Sequence, residues 1–122
     1  MKMKEIKFRA WDGDRMQKVL TLGLYEGFVD TNKLHSDIED FKLMQYTGLK
    51  DKNGKEIYEG DIVKVSDHPF NSSIKVDGHY EVGYDKETMD LCCGGWYLHR
   101  MRHWAEVIGN IYENPELLGA SK

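Results

Sequence analysis

Ile57-Tyr58-Glu59-Gly60-Asp61-Ile62-Val63-Lys64-Val65 sets a tight bend directly in front of a β-branched run. Gly60 supplies the backbone freedom of the bend, and an Asp beside it can accept hydrogen bonds from neighbouring backbone N–H groups. Ile62, Val63 and Val65 suit a pleated, buried strand and show no helical period. A bend that feeds straight into a strand is the pattern of an antiparallel β domain. The flanking sequence repeats that pattern in both directions.

Upstream, Leu43-Met44-Gln45-Tyr46-Thr47 reads as a strand ending at Gly48. Asn53-Gly54 is a favoured type I′ turn dipeptide. A two-residue hairpin there would set Lys52 against Lys55 and Asp51 against Glu56, so a longer exposed loop is expected instead. Ile6-Lys7-Phe8-Arg9-Ala10 alternates apolar and basic residues, Asp12-Gly13-Asp14 is a turn signal, and residues 16–22 form the expected partner strand. Residues 24–41 carry no clear period, and a helical turn or a loop fits them equally well.

Downstream, Asp77-Gly78 is expected to join 74–76 to 79–82 as a hairpin, and Gly94-Gly95 to join 89–93 to 96–100. Residues 104–112 supply the last strand. Asn114 as N-cap and Pro115 at the first helical position then start a short helical turn, whose Leu117 and Leu118 could plug an open end of the sheet. The expected fold is mainly β: a small antiparallel, partly open SH3-like barrel over residues 43–118. Residues 1–42 form an attached N-terminal β element and irregular segment within one domain, and the C-terminal helical turn closes the chain.

The 122 residues, 40% apolar and 31% charged, make an ordinary globular composition. A net charge of −4 argues against attraction of nucleic acid or anionic membrane to the whole surface. The charge is uneven: residues 1–18 hold six Lys and Arg against three acids, and residues 24–40 hold five acids against Lys33. No stretch approaches the ~20 apolar residues that span a bilayer. The N-terminal residues lack a signal-peptide apolar run, and the adjacent Cys92 and Cys93 do not make a secreted disulfide framework. The expected setting is the cytoplasm, away from membranes.

Three stretches resemble the YopX family, small proteins of phages and prophages in Gram-positive bacteria. They are Lys7-Phe8-Arg9-Ala10-Trp11-Asp12, then residues 44–63 from Met44-Gln45-Tyr46-Thr47-Gly48-Leu49 through Tyr58-Glu59-Gly60-Asp61, and Val107-Ile108-Gly109-Asn110-Ile111-Tyr112-Glu113-Asn114-Pro115-Glu116-Leu117-Leu118. The resemblance implies a β-rich fold and an intracellular life in an infected or lysogenic host. It implies no assigned activity and no catalytic residues.

Read for chemistry, the residues argue mostly against a reactive site. Cys92, Cys93, His99 and His103 invite zinc, but paired zinc ligands are normally separated by two to four residues. A Gly94-Gly95 hairpin would pair Cys93 with Trp96, Cys92 with Tyr97 and Leu91 with Leu98, pointing the two thiols to opposite faces. Ser66, Ser72 and Ser73 beside His68 and Asp67 sit on one loop and are not held in triad geometry. No glycine spacing makes a phosphate loop. No catalytic residue, metal or cofactor is expected.

What remains is a candidate interaction surface. His99-Arg100-Met101-Arg102-His103, flanked by Tyr97 and Trp104, reads as a cationic strand patch able to touch phosphates or stack on bases. Arg9 and Trp11 share a face of the first strand, where Trp11 would anchor a partner or cover the rest of the fold. The expected role is a non-catalytic binding or adaptor module acting through protein contacts with a host or phage protein or a second copy of itself. Nucleic acid bound by the patches at 7–11 and 97–104 is the alternative.

Overall fold

Asp12 opens the first hairpin as its sequence suggests: its carboxylate accepts hydrogen bonds from the N–H groups of Asp14 and Arg15, both at 2.8 Å. The structure, a computed structural model, describes residues 5–32, 35–70 and 74–119. The chain falls into two units, Met1–Tyr46 and Thr47–Lys122.

The first unit holds β1 (Phe8–Trp11), β2 (Met16–Gly23), β3 (Phe28–Thr31), β4 (His35–Asp37) and the first half of β5 (Lys42–Lys50). Their order is β4-β3-β2-β1-β5, with antiparallel pairing throughout. Residues 24–41, left open between a helical turn and a loop, contain two strands and a 3-10 turn at Ile38–Asp40. Gly27, at φ +76°, helps the chain double back. Gly23 leaves room for the Phe28 ring, which would lie 2.1 Å from any Cβ there. Ala10, Val29 and Phe41 form the core of this unit, with Val19, Leu22, Ile38 and Leu43 packed around them. Beneath them Gln17 bonds both Asp12 and Thr31 through its side-chain amide.

The second unit holds the remainder of β5, β6 (Glu56–Tyr58) and a five-stranded antiparallel sheet. Its strands are β7 (Asp61–Val65), β8 (Gly78–Tyr84), β9 (Leu91–Cys93), β10 (Trp96–Tyr97) and β11 (Ala105–Asn110), in the order β10-β9-β8-β7-β11. Among the described residues two short helices are present, α1 (Leu98–Met101) and α2 (Glu116–Gly119), and a 3-10 turn follows α1 at Arg102–Trp104. The Gly60–Asp61 bend forms as read: Asp61 is buried and accepts the Tyr58 N–H at 2.7 Å. Ile57, Val63, Val65, Val82 and Leu98 fill the core that this bend and strand create.

Several expectations are corrected. β5 does not end at Gly48 but continues to Lys50, with Gly48 taking φ +85° inside the strand. Residues 74–76 form no strand, so there is no hairpin at Asp77-Gly78; β8 pairs with β7 instead. The Gly94-Gly95 hairpin has the expected Trp96–Cys93 and Tyr97–Cys92 register. It stops there, however, because Leu98 and Met101 turn inward on α1, and no Leu91–Leu98 pair forms. Neither sheet closes among the described strands. The fold is therefore mainly β with two antiparallel sheets, and the expected SH3-like closure is not seen.

The expected long loop after Lys50 is present, and Asp51 organises it. Its buried carboxylate accepts the N–H groups of Asn53 at 2.8 Å, Lys55 at 2.9 Å and Val107 at 2.9 Å. The like-charge pairs are thus replaced by a carboxylate that serves three backbone donors. At the C-terminus, α2 follows Asn114-Pro115 as expected and lies on β8, where His79 Nδ1 donates to the Leu117 carbonyl at 2.8 Å. Among the described residues no helix is long and apolar enough to cross a membrane.

Candidate functional site

Leu98 and Met101 are three apart, so one turn of helix sends both into the core of the second unit. The same turn leaves His99 and Arg100 exposed, and His103 follows them outward on the next turn. These residues were expected on a strand; a helical turn brings them to one rim instead.

Across from them runs the loop after β7. The Asp77 carboxylate accepts the N–H groups of Asp67 and His68, both at 3.2 Å. Asp67 takes the left-handed conformation, φ +59°, that this geometry requires. Phe70 then donates its N–H to His68 Nδ1 at 3.1 Å. The loop so held lays the buried His68 ring 4.5 Å from Trp104, tilted by 59°, and 5.4 Å from Phe70.

Between loop and helix lies an open groove of about 460 Å³. Its walls are the rings of His68, Phe70, Trp96 and Trp104 together with Met101, and its rim carries His99, Arg100 and His103. None of its described lining residues is acidic, although the chain carries a net charge of −4. Tyr97 stacks on His99 at 5.7 Å beside this rim.

Arg102 points another way and donates from Nη1 to the Lys50 carbonyl at 3.0 Å. That contact draws Lys50 alongside. Lys52 adjoins too: its N–H donates to Ala105, its Nζ lies 3.4 Å from Ser66 Oγ, and the Ser66 N–H donates to Trp104. Arg102, two residues before Trp104, and Lys52, beside Ser66, are thus basic residues near the groove, and Lys50 follows through its carbonyl. The carboxylate between the two lysines, Asp51, is already engaged by backbone N–H groups.

The sequence-derived candidates thus separate. His99, Arg100 and His103 meet at the groove, with Tyr97 and Arg102 at its margin. Arg9 and Trp11 belong to β1 in the first unit, where both are half-buried. The rings of His68, Phe70 and Trp96 were not anticipated as part of a site. No local sequence signal marks them, because the loop that carries two of them is folded by the distant Asp77 carboxylate.

The remaining chemistry is muted. Burial pushes the Cys93 thiol up to about 12. Cys92 is raised chiefly by desolvation and then by Asp85 and Asp90. The thiols leave opposite faces of β9, Cys93 buried and Cys92 half-exposed, as the hairpin register requires. Ser72 and Ser73 lie outside the described residues. Among the described residues, no three His, Cys, Asp or Glu side chains converge as a metal site.

The fold and groove define a two-unit, mainly antiparallel β protein with an aromatic recess rimmed by Arg100 and two histidines. A family model described as YopX protein matches residues 7–119. The chain belongs to the YopX family. It is 29% identical, over 137 aligned positions, to the SPbeta prophage-derived uncharacterized protein YopX of Bacillus subtilis strain 168, covering 94% of this chain and 97% of that protein. Among solved structures it is similar to protein EF1440 from Enterococcus faecalis, with a TM-score of 0.66 and 29% identity over 95% of this chain and 99% of that one.

Proposed function

We propose that this protein is a non-catalytic binding module of phage or prophage biology, acting in the host cytoplasm through the groove between Phe70 and Arg100. The observation that carries this reading is the gathering of four aromatic or imidazole walls and a rim of Arg100, His99 and His103 with no carboxylate among the described lining residues. Flat or apolar groups of a ligand would lie on the rings, and its anionic groups would meet the rim. A protein segment and a nucleic acid both carry such groups. The raised Cys92 and Cys93 thiols are weak nucleophiles, which favours binding over thiol chemistry.

Shift mapping tests this. Nitrogen-15-labelled protein is mixed with fractionated extract of infected or lysogenic cells and its amide spectrum followed. The expected result is a set of shifts confined to residues 66–70 and 96–104. Shifts confined to the first unit, or none with any fraction, would reject the groove as the working surface.

A further inference from the structure

We infer that the groove and the basic residues near it form a binding site for single-stranded nucleic acid. The inference rests on the groove being the working surface, and it names the ligand class. Single strands need two things of a protein: flat apolar surfaces on which unpaired bases stack, and a track of cations for the phosphates. Both occur here side by side. Phe70 is 66% exposed, and His68 stands at 4.5 Å from Trp104, so a base entering the recess meets ring surface on more than one side.

The phosphate track follows from contacts beside the groove. Arg100 stands on the rim, Arg102 holds the Lys50 carbonyl, and Lys52 reaches Ser66, whose own N–H binds the Trp104 carbonyl. Arg100 lines the groove itself, Arg102 is two residues from Trp104, and Lys52 meets Ser66, two residues from His68. Carboxylates that would repel phosphate are placed elsewhere or occupied. Asp51 serves three backbone donors, and the Asp77 carboxylate holds the loop backbone. Asp67 is exposed next to His68 but does not line the groove.

A duplex suits the site poorly, because its bases are stacked internally and cannot enter a recess without unpairing. The overall charge of −4 also removes long-range attraction, so the site depends on local contacts. Protein ligands remain the alternative occupant: an acidic segment with an aromatic anchor would use the same rings and cations.

Fluorescence anisotropy on the intact chain distinguishes them, using labelled oligothymidylate, a labelled duplex and a labelled peptide of alternating Glu and Trp. Oligothymidylate is expected to bind with a Kd of roughly 1–100 µM, and the duplex more weakly. With three phosphates engaged, binding should weaken about twentyfold between about 50 and about 200 mM salt. Phe70→Ala should weaken it about tenfold without changing the salt slope, because it removes only stacking. Arg100→Gln and Lys52→Gln should each make the slope shallower by about 0.7. These positions are exposed, so the variants should keep the circular dichroism spectrum of the parent.

Oligothymidylate binding that ignores all three substitutions would overturn the inference. So would tight peptide binding at the groove with no oligothymidylate binding, though the groove would then still be the working surface. Failure of every probe to bind would remove both readings.

Discussion

Removing the Asp51 carboxylate should destabilise the protein by about 3 kcal/mol. One buried side chain accepts three N–H groups, at 2.8, 2.9 and 2.9 Å, and hydrogen bonds to a charged acceptor are each worth about 1.5–3 kcal/mol net. In Asp51→Ala the Asn53 and Lys55 donors lie at an exposed loop and can turn to water, so each should cost only about 0.5–1 kcal/mol. Val107 belongs to half-buried β11, and its stranded donor should account for about 1.5–2 kcal/mol. Asp51→Asn keeps one oxygen but turns an NH2 group toward a donor, so it should lose about half as much. Urea unfolding followed by tryptophan fluorescence measures the difference, and the accompanying fall in Tm should be roughly 10 °C for Asp51→Ala. An Ala variant within about 0.5 kcal/mol of the parent would refute the reasoning. So would an Asn variant as stable as the parent, since a neutral amide cannot serve both sides of the site.

Gly94→Ala should cost about 2–3 kcal/mol, because φ is +60° there and a Cβ would lie 2.4 Å from the Tyr80 ring. Gly95→Ala, with nothing within 4 Å, should cost less than about 1 kcal/mol, and thermal melts of the pair test the contrast. At pH 8 both cysteines should alkylate slowly because their thiolates are depleted, Cys92 well ahead of the buried Cys93; two fast-labelling thiols in the mass spectrum would contradict the burial. Asp12 is held below the usual carboxylate range by the Arg15 and Asp14 N–H groups, and Asp85 by those of Thr88 and Glu87. Any stability they lend is present above their unfolded pKa and is lost as pH falls through the lowered folded values; carbon-13 titration of the two carboxyls should show both below 3.8.

The parts of the fold legible in the sequence are those where one local feature suffices. Gly60-Asp61 before a β-branched run, Gly94-Gly95 between short apolar stretches and Asn114-Pro115 before Leu117 each carry their own instruction. β3 and β4 were missed because they are four and three residues long; β3 buries only Val29 and Thr31, and β4 is wholly polar. The helical turn at Leu98–Met101 was missed for a related reason. Four residues show no period, and the preceding hairpin invites a strand to continue.

The site was half legible. The cations and flanking aromatics from Tyr97 to Trp104 stood together in the sequence, so their grouping could be read without knowing their conformation. The opposite wall could not. Its position depends on Asp77 reaching back to the backbone of Asp67 and His68, and no pattern in residues 66–70 announces that side chain.

The loop after Lys50 also bears on how this protein can meet other chains. Val107 donates to Asp51, and Ala105 accepts from Lys52, so two backbone groups of β11 are already engaged by the loop after Lys50. The strands at the other ends of the sheet orders, β4, β6 and β10, span only three, three and two residues. An incoming segment therefore finds little open ladder to extend, and self-templated fibre growth is discouraged by the same means. Among the described strands, recognition of an occupant therefore falls more to side groups than to backbone pairing.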